Sequence, residues 1–436
     1  MTLPRDAPCR AGIHRTGLLS RSHIEGCSGS VPYLSSNSLA VLKHSPIVDL
    51  SGLASTTALV VCTAVLLGSC GLSDDARTPC VASGAAALGE TVAYVVNNIS
   101  SGTVSAYTIG VGTGTLTAVS GSPFAAGNSP GAVASRSVGN SVYVANSAGG
   151  SISAYDVDAS SGAVSPVAGS PFPTSGLTPR SLVFSPRGVL YVTGDGGSGP
   201  GPAFNNVVIY SFDATGALID LGLAMPAGAN PRSVDIDPSG KFLYVGNSGS
   251  NDVSAFSINM STGALTSAGA ALPAGSGPES IKVDQSGKFL YVANFNSNDI
   301  SEYSINGTTG ALTSVGSIAA GTNPSSIAIS GGFAYVANFG SNTISTYSIN
   351  SASGALASVG LPVATGTGPR SLSLGPEPFI GTTVLYVANS GSNNVSTYAI
   401  DRTTGVLTSV GLPLATGSNP YAITTVQTIK LQRCAD

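Results

Sequence analysis

The chain has 436 residues, of which 56 are glycine and none is tryptophan, and only 9% are charged, with Lys+Arg 17 against Asp+Glu 21. That is too long for one ordinary small domain and too weakly charged for a nucleic-acid binder. Glycine, serine, threonine and asparagine separate short Val/Ile/Tyr runs, which predicts an all-β protein, because β-branched and aromatic side chains suit a pleated surface.

The first 69 residues read differently from the rest. From Ser51 to Gly68 the chain is SGLASTTALVVCTAVLLG, an apolar stretch of signal-peptide length that runs into Leu67-Gly68-Ser69-Cys70. It resembles a bacterial lipoprotein signal, in which a small residue precedes the cysteine that is lipidated and becomes the new N-terminus. The resemblance implies a presequence and signal peptide over 1–69, lipid on Cys70, a short tether over 70–90 and a place in the bacterial cell envelope, held to a membrane through that lipid. The alternative is an uncleaved membrane anchor, the stretch being near the lower length limit for spanning. Of the six cysteines, cleavage leaves Cys70, Cys80 and Cys434. With Cys70 lipidated, the other two form a pair in an oxidising compartment.

Beyond the tether the chain repeats itself. A Tyr-Val pair recurs at Tyr94, Tyr143, Tyr191, Tyr244, Tyr291, Tyr335 and Tyr386. A period near fifty residues made of short strands signals a propeller rather than a helical solenoid. Within each period a segment opening with proline (PRSVDI at 231, PESIKV at 278) leads through a tight turn to LYVAN. A turn of the SGSND kind, a strand like ISEYSI and a strand like TGALTSVG follow. Four strands per period make one blade.

The proline segments begin at Pro130, Pro179, Pro231, Pro278, Pro324, Pro369 and Pro420. The first Tyr-Val strand has no such segment before it, and the last segment has no Tyr-Val strand after it. Residues 420–426 are therefore expected to supply the inner strand of the blade whose other strands start at Thr91. The fold predicted over 91–436 is a seven-bladed β-propeller of four-stranded antiparallel blades, its ring closed by the C-terminal strand joining the first blade, which removes an exposed sheet edge. Cys80 and Cys434 flank the closing strands where other blades have a hairpin turn, so a Cys80–Cys434 disulfide is expected in place of that covalent link; two free thiols are the alternative.

The YVAN/YVGN strand with its SN turn, the GAL strand and the GxxP segment resemble those of the YVTN-repeat and lactonase-type seven-bladed β-propellers, which include propeller-type 6-phosphogluconolactonases. The resemblance spans residues 91–427. It implies the fold directly, and as one activity the opening of a sugar-acid lactone; the same group holds surface proteins without catalysis. Such relatives often carry a histidine after the Pro-Arg of the inner strand, where this chain has PRSL, PRSV and PRSL. Its three histidines, His14, His23 and His44, all precede the expected cleavage. A cleaved chain therefore has no Ser-His or Cys-His mechanism.

Several motifs dissolve in the repeat. Gly127 to Gly131 (GNSPG) fits a nucleophile elbow but is one copy of the GxxP turn. Asp235 to Gly240 has calcium-loop spacing, yet position twelve is Gly246, which favours a hairpin. The asparagines Asn97, Asn146, Asn247, Asn294, Asn338 and Asn389 recur at one strand end, which marks a turn requirement. No cofactor and no metal is expected.

Asymmetry is the better guide to a site. The residues after the repeated prolines, expected at the channel mouth, are Gly131, Arg180, Arg232, Glu279, Ser325, Arg370 and Tyr421. The blade with Arg180 also breaks the wording: YVTG replaces YVAN at Gly194, and a lengthened connection begins at Asp195. The reading is an anion clamp of Arg180, Arg232 and Arg370, with Tyr421 and Asp195 in the ligand site and Glu279 as a general base on water. The competing reading pairs Arg180 or Arg232 with Glu279 as a structural ion pair.

Three functions follow: a propeller binding a small anionic ligand, glycan or envelope protein without turnover; a lactone (carboxylic ester) hydrolase; or a purely structural envelope protein. From Cys70 onward 12 basic residues face 18 acidic ones, which argues against polyanions and nucleic acid. A monomer is expected.

Overall fold

The protein is described by a computed structural model covering residues 87–136, 140–174, 176–196, 205–375 and 383–430. Cys70, Cys80 and Cys434, and with them the expected lipidation and disulfide, lie outside the described residues, as does most of the lengthened connection after Asp195.

The described strands form seven antiparallel sheets arranged as the blades of a propeller. Numbered from the blade that contains Ala87–Asn97, blade 1 takes its inner strand, Pro420–Lys430, from the far end of the chain. The inner strands of blades 2 to 7 are Pro130–Arg136, Leu177–Phe184, Pro231–Ile236, Pro278–Val283, Pro324–Ser330 and Pro369–Leu374. Closure by the C-terminal strand is as expected, but the pairing is longer: it runs on to Ala87↔Lys430. Asn140 of blade 2 fastens this extension, donating from Nδ2 to the Ile429 carbonyl at 2.7 Å and accepting the Ile429 amide at 2.9 Å.

Blade 5 shows the pattern. Its second strand, Phe289–Asn294, is buried at every residue, whereas its fourth, Leu312–Ala319, is mostly exposed. A strand covered on both faces must be apolar throughout, which is why LYVAN does not alternate. The fourth strand departs from expectation in five blades, where it is split in two, as in Leu265–Ser267 and Leu272–Pro273 of blade 4, both pairing with the third strand.

Core side chains lie between blades. Phe242, Tyr244 and Val253 of blade 4 pack with Ile281, Val283, Leu290, Val292 and Tyr303 of blade 5. Among the described residues, six of the seven junctions also carry a latch made by the repeated tyrosine, Tyr335 being the exception. Tyr94, Tyr143, Tyr191, Tyr244 and Tyr291 donate their hydroxyls to the carbonyls of Gly162, Gly216, Gly263, Gly310 and Gly354 in the next blade, and Tyr386 closes the ring onto Gly114. The acceptor turn needs glycine. Gly354 has φ +79, and a Cβ there would stand 2.2 Å from the Phe289 ring. Burial pushes these phenols upward, Tyr191 to about 12.

The recurring asparagines are fully buried. Asn294 donates from Nδ2 to Asp299 Oδ1 at 2.6 Å and Ser301 Oγ at 2.9 Å, and its counterparts do the same, tying the second strand to the third. The GxxP turn is likewise structural. Ser129 has φ 50, and Asn230, Asn323 and Asn419 hold φ 53, 52 and 55 in the same turn of other blades. Asp237 accepts the amides of Phe242 and Ser239, as a hairpin turn requires. No cluster able to hold a metal occurs among the described residues.

The latches can be weighed singly. Tyr291→Phe strands a buried carbonyl and should cost about 1–3 kcal/mol in denaturant unfolding. Tyr335→Phe, at a hydroxyl without a partner among the described residues, should cost nothing or stabilise. Equal losses would show that the hydroxyls are not the latch.

Candidate functional site

One irregularity places the site. In blades 2 to 7 the pairing of first and second strands slips just after the proline, as between Pro231↔Asn247 and Ser233↔Gly246, and blade 1 slips between Val96 and Asn97. The skipped residues are Tyr421, Gly131, Arg180, Arg232, Glu279, Ser325 and Arg370, in blade order. A bulge leaves its extra residue unpaired and re-aims the side chain. Seven bulges thus turn seven residues into the mouth, and all seven line one cavity of about 640 Å³.

Blade 3 is built differently. Its first two strands continue past the bulge, pairing Thr178↔Asp195 and Leu177↔Gly196. A Cβ at Gly194 would lie 2.2 Å from the Thr178 carbonyl, so the asparagine found in the other blades cannot stand there. The extension delivers Asp195 to Arg180. Nε donates to Oδ1 at 2.7 Å and Nη2 to Oδ2 at 2.9 Å, a bidentate pair whose side chains are each 29% exposed.

This geometry revises one expectation: the ion pair at the mouth joins Arg180 to Asp195, not to Glu279. Arg180 keeps its place on the cavity wall, while its partner Asp195 does not line the cavity. Burial opposes ionisation of Asp195, but the hydrogen bonds and charge of Arg180, with Arg232 beyond, hold its carboxyl below the ordinary range.

The other charges are less committed. Arg370 lies over the ring of Phe339 at 4.0 Å, with Tyr421 at 5.2 Å and Phe295 at 5.9 Å. This cation–π contact occupies a guanidinium face and leaves its N–H edge free. Arg232 has a buried Nε without a partner. Glu279 is half-buried and is the one carboxylate on the cavity wall. Neither Arg370 nor Glu279 makes a hydrogen bond or ion pair among the described residues. Beneath them Lys282 Nζ meets Asp235 at 3.1 Å across the junction of blades 4 and 5.

The family model for lactonases of the seven-bladed β-propeller type matches residues 84–199, 190–277, 273–327 and 316–423. The chain belongs to this lactonase family. No curated protein sequence matches it. Among solved structures, this lactonase propeller is similar to a candidate 6-phosphogluconolactonase from Bacteroides uniformis, at 20% identity and a TM-score of 0.66, covering 77% of this chain and 100% of that one. It is also similar to the Pseudomonas aeruginosa periplasmic gluconolactonase PpgL, at 19% identity and 0.64, covering 78% and 100%. A Lactobacillus plantarum protein follows at 21% and 0.60, covering 77% and 99%. At these identities the likeness is one of fold.

Within the lactonase fold, sequence reading missed two parts of this mouth. Phe295 and Phe339 follow the buried asparagine where blades 2, 4 and 7 have Ser147, Ser248 and Ser390; that change of wording was the available signal. A row of serines two residues after the prolines, from Ser181 to Ser371, also lines the cavity.

The Arg180–Asp195 pair has a testable pH signature. A depressed folded pKa gives stability that is present above the unfolded value, near 3.8, and is lost as pH falls through the folded value. Asp195→Asn should cost about 1–3 kcal/mol near neutrality, with the difference holding down to about pH 4 and closing below it. A difference that closes by about pH 6 would contradict the pairing.

Proposed function

We propose that this propeller hydrolyses a lactone bearing an anionic group, with Glu279 as the general base at the channel mouth. The observation that carries the reading is Glu279 itself: the one wall carboxylate, without a described partner, on the bulge next to that of Arg232. Membership of the lactonase family supports the reaction class, and the names of two similar structures point to sugar-acid lactones.

In the proposed step Glu279 takes a proton from water as its oxygen bonds to the lactone carbonyl carbon, and the carbonyl electron pair moves onto oxygen. Collapse of that intermediate breaks the ring C–O bond. The departing alkoxide takes the proton back from Glu279, giving the hydroxy acid. Arg232, on the neighbouring bulge and the same cavity wall, is the cation assigned to the developing negative charge. Binding without turnover uses the same residues. It is favoured by one feature, the absence of histidine after His44, which leaves one carboxylate to move every proton.

Lactone hydrolysis by the purified protein separates the two. Glu279→Gln keeps the shape and removes the base, so kcat should fall by at least about 100-fold. Unchanged turnover would reject Glu279, and no turnover across several sugar-acid lactones would leave binding as the function.

We also propose that the protein works in the cell envelope, lipid-anchored at Cys70 and closed by a Cys80–Cys434 disulfide. Supporting this are the apolar stretch from Ser51 to Gly68 and the cysteine positions. Mass spectrometry of the mature protein should find a lipidated Cys70 at the N-terminus and one disulfide-linked peptide pair. An unmodified Cys70 within a longer chain, or two free thiols, would contradict it.

A further inference from the structure

We propose that the floor of the mouth cavity is a binding site for a small oxyanion, carboxylate or phosphate, held by the hydroxyl protons of Ser233, Ser280, Ser326 and Ser371 together with Arg232. The four serines stand two residues after the prolines of blades 4 to 7, and all line the cavity. Each Oγ accepts an amide N–H from the inner strand of the next blade: Ile281 onto Ser233 at 3.1 Å, Ile327 onto Ser280 at 3.2 Å, Leu372 onto Ser326 at 3.1 Å, and Ile423 onto Ser371 at 3.2 Å.

A hydroxyl has one proton to give and two lone pairs with which to accept. In these four an accepting site faces the neighbouring blade, so the proton is what remains for the channel. None of the four donates to an acceptor among the described residues. Two other serines on the same wall do: Ser325 to the Pro369 carbonyl at 2.7 Å and Ser147 to the Pro179 carbonyl at 2.8 Å. Accepting an N–H also polarises the hydroxyl and strengthens it as a donor. Four uncommitted donors from four consecutive blades therefore converge on the channel axis.

Arg232 points to a ligand independently. Its Nε is buried and unpartnered, and such groups are rare enough in folded proteins to require an account. A bound oxyanion supplies the missing acceptor. The serines at this position form an arc from Ser181 to Ser371, because blades 1 and 2 have Ala422 and Ala132 there. Glu279 repels an anion at the rim, so the charged group belongs on the floor and an uncharged part of the ligand faces Glu279. The site goes beyond the hydrolase reading, since it predicts equilibrium binding of an anion that cannot react.

Calorimetric titration of the purified protein with inorganic phosphate, and separately with acetate, tests this. Wild type should bind, and tighter binding of one anion identifies phosphate or carboxylate as the natural group, either supporting the site. Ser280→Ala with Ser326→Ala should weaken binding at least tenfold, while Ser280→Thr with Ser326→Thr, which keeps both hydroxyls, should retain it. The serines also staple blades, so Arg232→Gln, which removes no hydrogen bond or ion pair among the described residues, serves as a second variant and should weaken binding at least as much. Binding of neither anion, or equal binding by wild type and the alanine and glutamine variants, would overturn the proposal.

Discussion

Everything in this molecule depends on closing a circle with a chain that has two ends. The pairing of Pro420–Lys430 against Ala87–Asn97 joins the beginning and end of the described chain by backbone hydrogen bonds within one blade. An open ring would expose two blade faces of buried valines and tyrosines and a sheet edge. Closure also seats Tyr421 beside Arg370 and brings Ile423 onto Ser371, completing wall and floor of the mouth together.

Symmetry built the ring and broken symmetry built the site. The buried asparagines repeat because each ties two strands of its blade together, and the tyrosine latches with their glycine turns repeat because they solve one problem at six of the junctions. The bulge after the proline repeats as well, yet the residue it turns into the mouth is free to differ from blade to blade. That freedom produces Tyr421, Gly131, Arg180, Arg232, Glu279, Ser325 and Arg370 in one ring. In blade 3 the departure is deeper, since loss of the asparagine at Gly194 and extension of two strands are one change that sets Asp195 against Arg180.

The fold was legible because its period is printed in the sequence, and the mouth residues were legible because the proline marks the strand start. Two things were not. Spacing says where a residue stands but not which neighbour it meets, so Asp195 rather than Glu279 as the partner of Arg180 depended on strand lengths that no motif reveals. Recurrence was also a poor separator of scaffold from function: Ser233, Ser280, Ser326 and Ser371 staple blades through one side of the oxygen and face the cavity with the other. Glu302, nearly fully buried where other blades have Ala106, Ala154 or Ala255, was hidden in an ordinary strand, and burial raises its carboxyl above the usual range.

One mouth, framed by bulges and floored by hydroxyls, is thus proposed to receive the ligand. The decisive measurement is a crystal structure with the open-chain hydroxy acid of a phosphorylated sugar lactone. The molecule should lie inside the ring of bulge residues, its phosphate on Arg232 and the serine floor and its carboxylate end toward Glu279. An occupied site on the outer edges of the blades with an empty mouth would contradict it.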